Sequence, residues 1–253
     1  MTDLPTSGRS LAGRIAVVTG ASRGIGHAAA LGLAEAGAHV IAVARTQGGL
    51  EALDDAIRER TGEGATLVPL DLTKPDGLDA LGGLIFERWG RLDVLVSAAG
   101  ELGVLTPVAH LEPRTWERAV AVNMTANYRL LRSFDPLLRR AEAGRVIVLT
   151  SAAASKRDAF WGAYAATKAG LEALVQVYAD EVAHTPVRCA LLDPGPMRTR
   201  MHAQAFPGLD PADLTPPEAI VPLMIELARA DREPPRGVVH FTERAHSQIT
   251  TPS

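Results

Sequence analysis

The chain has 253 residues, of which 47% are hydrophobic and 22% charged, and its formal net charge is −3. This balance lacks the basic surplus typical of proteins that bind nucleic acid or anionic lipid. No run approaches the roughly 18 consecutive apolar residues of a membrane-spanning helix. We therefore expect an ordinary globular protein with neither a nucleic-acid nor a membrane partner.

Cys189 is the only cysteine, so the chain cannot form an internal disulfide. The absence of a disulfide framework favours a reducing compartment. The opening stretch MTDLPTSGRSLAGR carries an acid, a proline and polar residues where a signal peptide has an apolar core of about 7–15 residues. We therefore expect a cytoplasmic location.

Short β-branched runs alternate with longer Ala- and Leu-rich stretches of helical period along the whole chain. Such alternation predicts βαβ units and a parallel sheet in an α/β fold. The predicted strands are 14–19, 39–44, 66–70, 93–97, 145–150, 187–192 and 237–242. The predicted helices are 24–36, 48–61, 75–89, 113–140, 161–184 and 216–230.

No composition shift divides the chain, so we predict a single domain over 1–253 with flexible ends at 1–10 and 247–253. One segment, 194–214, is rich in Pro, Gly and Met and lies between a strand and a helix. Loops longer than about 12–15 residues in a compact domain are usually lids, binding loops or disordered. We predict a substrate lid here, with a plain surface excursion as the alternative.

The first strand is followed by the turn TGASRGIG, which leads directly into the first helix. Glycines at such a turn let a pyrophosphate approach the backbone amides at the helix N-terminus, where the helix dipole favours an anion. A glycine-rich turn without a ligand is the alternative. The predicted cofactor residues in this turn are Gly20, Ser22, Arg23, Gly24, Ile25 and Gly26.

The spacing TGxxxGxG resembles the short-chain dehydrogenase/reductase family, and the resemblance extends over about residues 12–245. It implies a Rossmann-like, doubly wound parallel sheet of about seven strands in the order 3-2-1-4-5-6-7, with helices on both faces. It also implies an oxidoreductase with a nicotinamide cofactor. The segments WGAYAATK and RMHAQAFPGLDP resemble a bacterial subgroup whose members are mostly named only as oxidoreductases.

The end of the second strand indicates which nicotinamide cofactor is bound. An acid at this position binds the ribose 2′-hydroxyl of NAD and repels a 2′-phosphate, but here the position is Ala44. Arg45 follows it and Arg23 lies in the glycine turn, and guanidinium groups suit phosphate. The sequence therefore predicts NADP(H), unless both arginines are only solvent-exposed charges.

Further cofactor contacts are implied by the resemblance. Asp71, in LDLT after the third strand, would bind the adenine amino group, although it could instead cap the next helix. The usual NNAG after the fourth strand reads SAAG here, so one bracing amide is lost and Ser97 would replace part of its bonding. The remaining predicted contacts are Leu72, Ala99, Gly100, Pro194, Gly195 and Thr199.

A tyrosine and a lysine, Tyr164 and Lys168, are four residues apart in a helical stretch and share one helix face. Ser151 precedes the tyrosine by thirteen residues and follows a strand, at the edge of the sheet where ligands bind. This Ser and YxxxK pattern resembles the active site of the same family. A free tyrosine has a pKa of about 10, which the charge of Lys168 and, in the oxidising direction, of the nicotinamide would lower.

The resemblance assigns the chemical roles. Tyr164 would be the general acid for carbonyl reduction and the general base in reverse, and Ser151 would bind the substrate oxygen. Lys168 would also hold the nicotinamide ribose. Asn123, in the motif VN, would anchor a water leading to Lys168, with a satisfied helix-packing amide as the alternative.

Several apolar side chains flank the expected pocket, and core packing or lid closure explains them as well as substrate binding does. They are Trp161, Met197, Met201 and Phe206. The histidines lack metal-like spacing, so we predict no metal site.

The resulting prediction is an NADPH-dependent reductase of a small carbonyl or alcohol substrate. A 3-oxoacyl-thioester reductase is one alternative and would need a basic docking surface. A non-catalytic NADP-sensing protein is another, which the intact catalytic set disfavours. The family resemblance also implies a homotetramer or homodimer built by pairing helices 113–140 and 161–184. The basic docking surface that a 3-oxoacyl-thioester reductase would need could be formed by Arg129, Arg132, Arg139 and Arg140. The alternative is that these arginines form an ordinary solvated helix face.

Overall fold

Seven parallel strands form one sheet in a computed structural model of the chain, which describes residues 9–241. Their order, β3-β2-β1-β4-β5-β6-β7, confirms the predicted topology. The observed bounds differ from the predicted ones by no more than two residues. The strands are β1 (Ile15–Thr19), β2 (His39–Ala44), β3 (Thr66–Pro69), β4 (Val94–Ser97), β5 (Arg145–Leu149), β6 (Arg188–Asp193) and β7 (Val238–His240).

Nine α-helices connect these strands within the described residues. They are α1 (Gly24–Glu35), α2 (Gln47–Thr61), α3 (Pro75–Trp89), α4 (Pro113–Val120), α5 (Ala126–Leu138), α6 (Ala153–Lys156), α7 (Gly162–Glu181), α8 (Arg200–Ala205) and α9 (Val221–Ala228).

Side chains of each strand alternate between two apolar layers, one on each face of the sheet. In β1, Ala16 and Val18 pack in the layer that contains α1, α2 and α9. Ile15 and Val17 pack in the layer that contains α3, α5 and α7. Because both faces are covered, the strands are apolar throughout rather than alternating in polarity.

The predicted helix 113–140 is interrupted. A π-helical turn over Ala121–Thr125 separates α4 from α5. Such turns widen the helix locally and are frequent at functional sites, and this one contains the fully buried Asn123. Apolar periodicity extends through both helices, so the sequence pattern does not reveal the interruption.

The predicted loop 194–214 contains more regular structure than expected. Helix α8 begins after Thr199, whose hydroxyl accepts a hydrogen bond from the His202 amide (3.2 Å). Met197 forms an isolated bridge with Thr215. The predicted helix 216–230 starts as a 3₁₀ turn, Pro217–Ile220, before α9.

The predicted flexible ends and the last residue of the predicted seventh strand lie outside the described residues, apart from Arg9 and Ser10. Across 9–241, none of the helices combines the length and the apolar character required to cross a membrane.

Candidate active site

A cavity of about 1400 Å³ opens at the carboxyl ends of the strands. Nearly all of the predicted site residues line it, and Asn123 is the exception because it is buried behind the cavity wall. The lining residues are Gly20, Ser22, Arg23, Gly24, Ile25, Gly26, Arg45, Asp71, Leu72, Ala99, Gly100, Ser151, Trp161, Tyr164, Lys168, Pro194, Gly195, Met197, Thr199, Met201 and Phe206.

The glycine turn requires its glycines for two physical reasons. Gly20 and Gly24 have left-handed φ values of 68° and 57°, a conformation that a side chain disfavours. A Cβ on Gly20 would lie 2.9 Å from the Ala99 amide nitrogen, and one on Gly26 only 2.3 Å from the Gly20 carbonyl oxygen. The turn is therefore closed tightly against the loop after β4.

The N-terminus of helix α1 lines the cavity, and no side chain of its first turn neutralises the partial positive charge there. The residue before it, Arg23, makes no side-chain capping bond within the described chain, and the first turn contains no acid. The first amides of a helix lack intrahelical partners and favour an anion. This glycine-lined cradle fits the pyrophosphate of a dinucleotide.

As the sequence predicts, β2 does not end in an acid. Its last residue is Ala44, which is buried. Arg23 and Arg45 are both exposed, and across residues 9–241 neither guanidinium group forms a hydrogen bond or a salt bridge. Two cations therefore line this end of the cavity with guanidinium groups that are not hydrogen-bonded within the described residues.

Asp71 does not cap the next helix, since α3 begins after Lys74. Its carboxylate accepts hydrogen bonds from the Thr73 amide (3.0 Å) and hydroxyl (2.8 Å). Burial acts to raise the pKa of Asp71, but these bonds and the charges of Arg118 and Arg45 outweigh it and hold the pKa below its usual value.

The SAAG segment is braced by other side chains. The Ser97 hydroxyl donates to the Asn127 side-chain oxygen (2.7 Å), which agrees with the expectation that Ser97 replaces part of the lost bonding. The Thr19 hydroxyl accepts hydrogen bonds from the Ala98 and Ala99 amides at 3.2 and 3.3 Å. The backbone beside the cofactor cradle is therefore held at two points.

Asn123 uses its whole side-chain amide within the protein. Its oxygen accepts a hydrogen bond from the Glu101 amide (2.9 Å), and its nitrogen donates to the Glu101 carbonyl (2.9 Å) and the Thr167 hydroxyl (3.0 Å). Asn123 thus fastens the loop after β4 to α7, the helix that carries Tyr164 and Lys168.

Tyr164 and Lys168 lie on one face of α7, with the ammonium 5.8 Å from the centre of the phenol ring. Both side chains are almost fully buried. The lysine donates to the Leu149 carbonyl (2.8 Å), so its charge lies against the end of β5.

Burial raises the pKa of Tyr164 to about 12, with a smaller contribution from Asp193, while a hydrogen bond with Ser151 acts to lower it. Burial lowers the pKa of Lys168 to about 8, and Glu172 and Asp193 act to raise it. The expected lowering of the tyrosine pKa by Lys168 is not seen, because desolvation dominates and the ammonium lies at the Leu149 carbonyl.

The predicted apolar residues divide into two groups. Trp161, Met201 and Phe206 line the end of the cavity near Tyr164, whose hydroxyl is 3.7 Å from the Met201 sulfur. Met197 is only 2% exposed and belongs to the core layer of α1 and α9, so the core-packing alternative describes it better.

Sequence reasoning missed Asp193 as a site residue. This buried carboxylate accepts a hydrogen bond from the Gly195 amide (3.0 Å) and lies 3.2 Å from His240 Nδ1. Its position as the last residue of β6, at the edge where ligands bind, is a signal that could have identified it.

The four arginines of the alternative docking surface are engaged by their own neighbours. Arg139 binds Asp135, Arg132 lies 3.8 Å from Asp79, and Arg129 and Arg140 donate to backbone carbonyls. Within 9–241 no cluster of three or more His, Cys, Asp or Glu side chains is arranged to hold a metal ion.

Comparisons with known proteins agree with this geometry. Residues 14–210 match the profile of the family described as short chain dehydrogenase. The chain is similar to the uncharacterized oxidoreductase YciK of Escherichia coli K12, with 36% identity over 227 residues, which are 89% of this chain and 90% of that protein.

Two solved structures are also similar over most of their length. A short chain dehydrogenase from Salmonella enterica serovar Typhi CT18 has a TM-score of 0.89 and 33% identity, covering 94% of this chain and 98% of that one. A short chain dehydrogenase from Shigella flexneri 2a, crystallised in complex with NADP, has a TM-score of 0.87 and 35% identity, covering 92% and 98%.

Proposed function

The chain belongs to the short chain dehydrogenase family, and we propose that it is an NADP(H)-dependent oxidoreductase of a small carbonyl or alcohol substrate. The observation that carries this proposal is the convergence of the glycine cradle, Ser151, Tyr164 and Lys168 on one cavity. A protein that only sensed the cofactor would need the cradle but not the catalytic pair.

The catalytic side chains would act on the substrate oxygen. Bound NADPH supplies the hydride that adds to the carbonyl carbon. Ser151 donates a hydrogen bond to the oxygen as negative charge develops on it, and Tyr164 transfers its proton to the same atom. With a pKa of about 12, Tyr164 is protonated at neutral pH, as an acid for reduction must be.

Lys168 and Asn123 would support this chemistry from behind the cavity. Lys168 would bind the nicotinamide ribose and contribute positive charge. Asn123 positions the loop at Glu101 and the helix at Thr167, and a water anchored beside it would lead to Lys168.

The preference for NADP(H) rests on Ala44, Arg23 and Arg45. Ala44 takes the place of the acid that would repel a 2′-phosphate at the end of β2, and two exposed guanidinium groups are available to bind one. The similar Shigella protein was crystallised with NADP.

Segment 194–214 would act as a lid over the substrate. It contributes Met201 and Phe206 to the cavity, and Gln204 donates to the Gly103 carbonyl on the opposite rim (3.2 Å). This bond joins the segment to the loop after β4.

Replacing Tyr164 by Phe tests the proposal, with Tyr178→Phe as the matched control on the same helix. Tyr178 is also buried, but its hydroxyl binds Asp135, away from the cavity. NADPH oxidation is followed with a panel of aldehydes, ketones and 3-oxoacyl thioesters, and NADPH binding is followed by fluorescence.

We expect Tyr164→Phe to lower kcat at least 100-fold, since general acid catalysis contributes roughly 10²–10⁴. NADPH affinity is expected to stay within about twofold because the cradle is intact, and Tyr178→Phe is expected to retain turnover. Turnover of Tyr164→Phe at the wild-type rate would disprove the mechanism.

A further inference from the structure

Four rings line one side of the cavity in a continuous series that begins at Tyr164. The ring of Trp161 lies 6.0 Å from that of Tyr164 in an edge-on arrangement. Phe206 follows at 5.7 Å from Trp161, and His202 at 4.9 Å from Phe206. We call Trp161, Phe206 and His202 the aromatic wall.

The rings of the aromatic wall lie outside the two buried core layers. The chain contains only three Trp and five Phe among 253 residues, and the two core layers consist mainly of Leu, Ile, Val and Ala. Trp161 is only half-buried and Phe206 is 43% exposed. Exposed aromatic surface concentrated in a concave site is typical of ligand binding.

The backbone before Trp161 is held in an unfavourable conformation. Arg157 and Phe160, both non-glycine residues, have left-handed φ values of 55° and 75°. The Phe160 carbonyl accepts a hydrogen bond from the Thr106 amide (3.0 Å). Such conformations persist only where the surrounding structure fixes them, and they cluster at functional sites. The surrounding structure therefore fixes the backbone that leads into Trp161.

Further apolar side chains line the same cavity. The Met201 sulfur lies 3.7 Å from the Tyr164 hydroxyl, and Leu102 and Val104 line the cavity. Of the charged residues that line the cavity near these positions in the sequence, Lys156, Asp158 and Arg200 are exposed. Glu101 is paired with Arg118 (3.0 Å), and Lys168 donates to the Leu149 carbonyl. A flat, polarisable group matches these surroundings, because aromatic rings pack at centroid distances of about 4.5–7 Å and sulfur packs favourably on rings.

On the basis of the proposed function, we propose that the substrate is an aryl aldehyde or aryl ketone. Its ring packs on Trp161 and Phe206 while its carbonyl oxygen meets Tyr164 and Ser151. In the reaction a hydride from NADPH adds to the carbonyl carbon and the phenolic proton passes to the oxygen. The products are the aryl carbinol and NADP⁺, and solvent returns a proton to Tyr164.

The test compares acetophenone with cyclohexyl methyl ketone, which has a saturated ring of similar size. The kcat/KM ratio of the two ketones is measured for wild type, Trp161→Leu and Phe206→Leu. Comparing ratios between variants cancels the intrinsic reactivity of the two ketones. Phe86→Leu is the matched control, because Phe86 is exposed on α3 and does not line the cavity.

We expect the aryl preference to fall at least tenfold in Trp161→Leu and at least threefold in Phe206→Leu, with no change in Phe86→Leu. NADPH affinity is measured alongside and is expected to stay unchanged. An identical ratio in all four proteins would overturn the aryl assignment while leaving the proposed function intact.

If wild type reduced no carbonyl compound, the proposed function would fail, and binding would then decide the aryl assignment. Calorimetry measures acetophenone binding to protein saturated with NADP⁺. Affinity at least tenfold above that for cyclohexyl methyl ketone, lost in Trp161→Leu, supports the assignment. Equal affinity for the two ketones, or no effect of Trp161→Leu, overturns it.

Discussion

Tyr164 and Lys168 are buried on the same helix face. Burial favours the neutral form of each, so it raises the pKa of Tyr164 and lowers the pKa of Lys168. The tyrosine thus keeps its proton, while the lysine is held charged at neutral pH with the help of Glu172 and Asp193. The two residues therefore set different limits on the pH range of activity.

Carbonyl reduction is expected to slow as the pH rises through about 8. Lys168, with a pKa of about 8, loses its charge there, whereas Tyr164, with a pKa of about 12, remains protonated. Glu172 acts to raise the lysine pKa, so Glu172→Gln should move the decline in kcat to lower pH.

The exposed Glu181, on the same helix, provides the control for the pH profile. Glu181→Gln should leave the midpoint in place. A midpoint that does not move in Glu172→Gln, or that moves to higher pH, would contradict the role assigned to Glu172.

Arg45→Ala should weaken NADPH binding at least tenfold, or about 1.4 kcal/mol, because it removes the guanidinium that we propose binds the 2′-phosphate. NADH lacks that phosphate, so its affinity should not change. Fluorescence titration measures both, with Arg58→Ala as a control on α2, where Arg58 binds Asp54. An equal loss for the two cofactors would refute the proposed phosphate contact.

At the level of residues, the sequence predicts Ser151, Tyr164 and Lys168 because their spacing is fixed by one strand end and one helix. It does not predict the tyrosine pKa, which depends on burial that only the packed structure reveals. Asp193 was missed for a related reason, since its influence on Tyr164 and Lys168 comes from proximity in space.

Among the elements, the turn between β1 and α1 is the most tightly constrained. Gly26 faces the Gly20 carbonyl so closely that any side chain must displace backbone. The π turn over Ala121–Thr125 is constrained differently, by the bonds that Asn123 makes to two neighbouring segments.

Gly26→Ala should lower the free energy of unfolding by about 1–3 kcal/mol, since its Cβ would lie 2.3 Å from a backbone oxygen. It should also weaken NADPH binding by distorting the cradle. Urea denaturation measures the stability change.

Gly83→Ala is the matched control, because a Cβ at this exposed position of α3 meets nothing within 4 Å. It should stabilise the protein by about 0.5–1 kcal/mol through helix propensity. Wild-type stability in Gly26→Ala would show that the turn tolerates a side chain.

The sequence predicts elements well where apolar periodicity is long and less well where it is short or continuous. Strand β2 and helix α3 have the predicted bounds, since caps and turns mark both ends. Helix α8, with six residues, is too short to establish a period. The π turn is hidden because one extra residue per turn barely alters the apolar pattern.

In the whole molecule, both faces of one sheet are covered and the cavity lies along its carboxyl edge. We propose that the chain forms a single NADP-binding domain. Five large apolar side chains are exposed on the helices of one face: Leu84 and Phe86 on α3, Trp116 on α4, Tyr128 on α5 and Val177 on α7.

We propose that α4, α5 and α7 pair with their counterparts in a homodimer or homotetramer, as the predicted pairing of helices 113–140 and 161–184 implies. Size-exclusion chromatography with light scattering should then give a multiple of 26.7 kDa. Val177→Glu should reduce the mass, because a buried, unpaired charge opposes association. Leu84→Glu, at an exposed position on α3, should not. A wild-type mass of one chain would exclude the oligomer.

The central claim is hydride transfer from NADPH to a carbonyl carbon, and isotope transfer tests it most directly. The protein is incubated with a carbonyl substrate and with NADPH in which both hydrogens on the reactive carbon of the nicotinamide ring are replaced by deuterium. Mass spectrometry should find one deuterium on the carbinol carbon of the product, and no product should form in Tyr164→Phe. An unlabelled carbinol, or tight NADPH binding without any reduced product across the panel, would contradict the account.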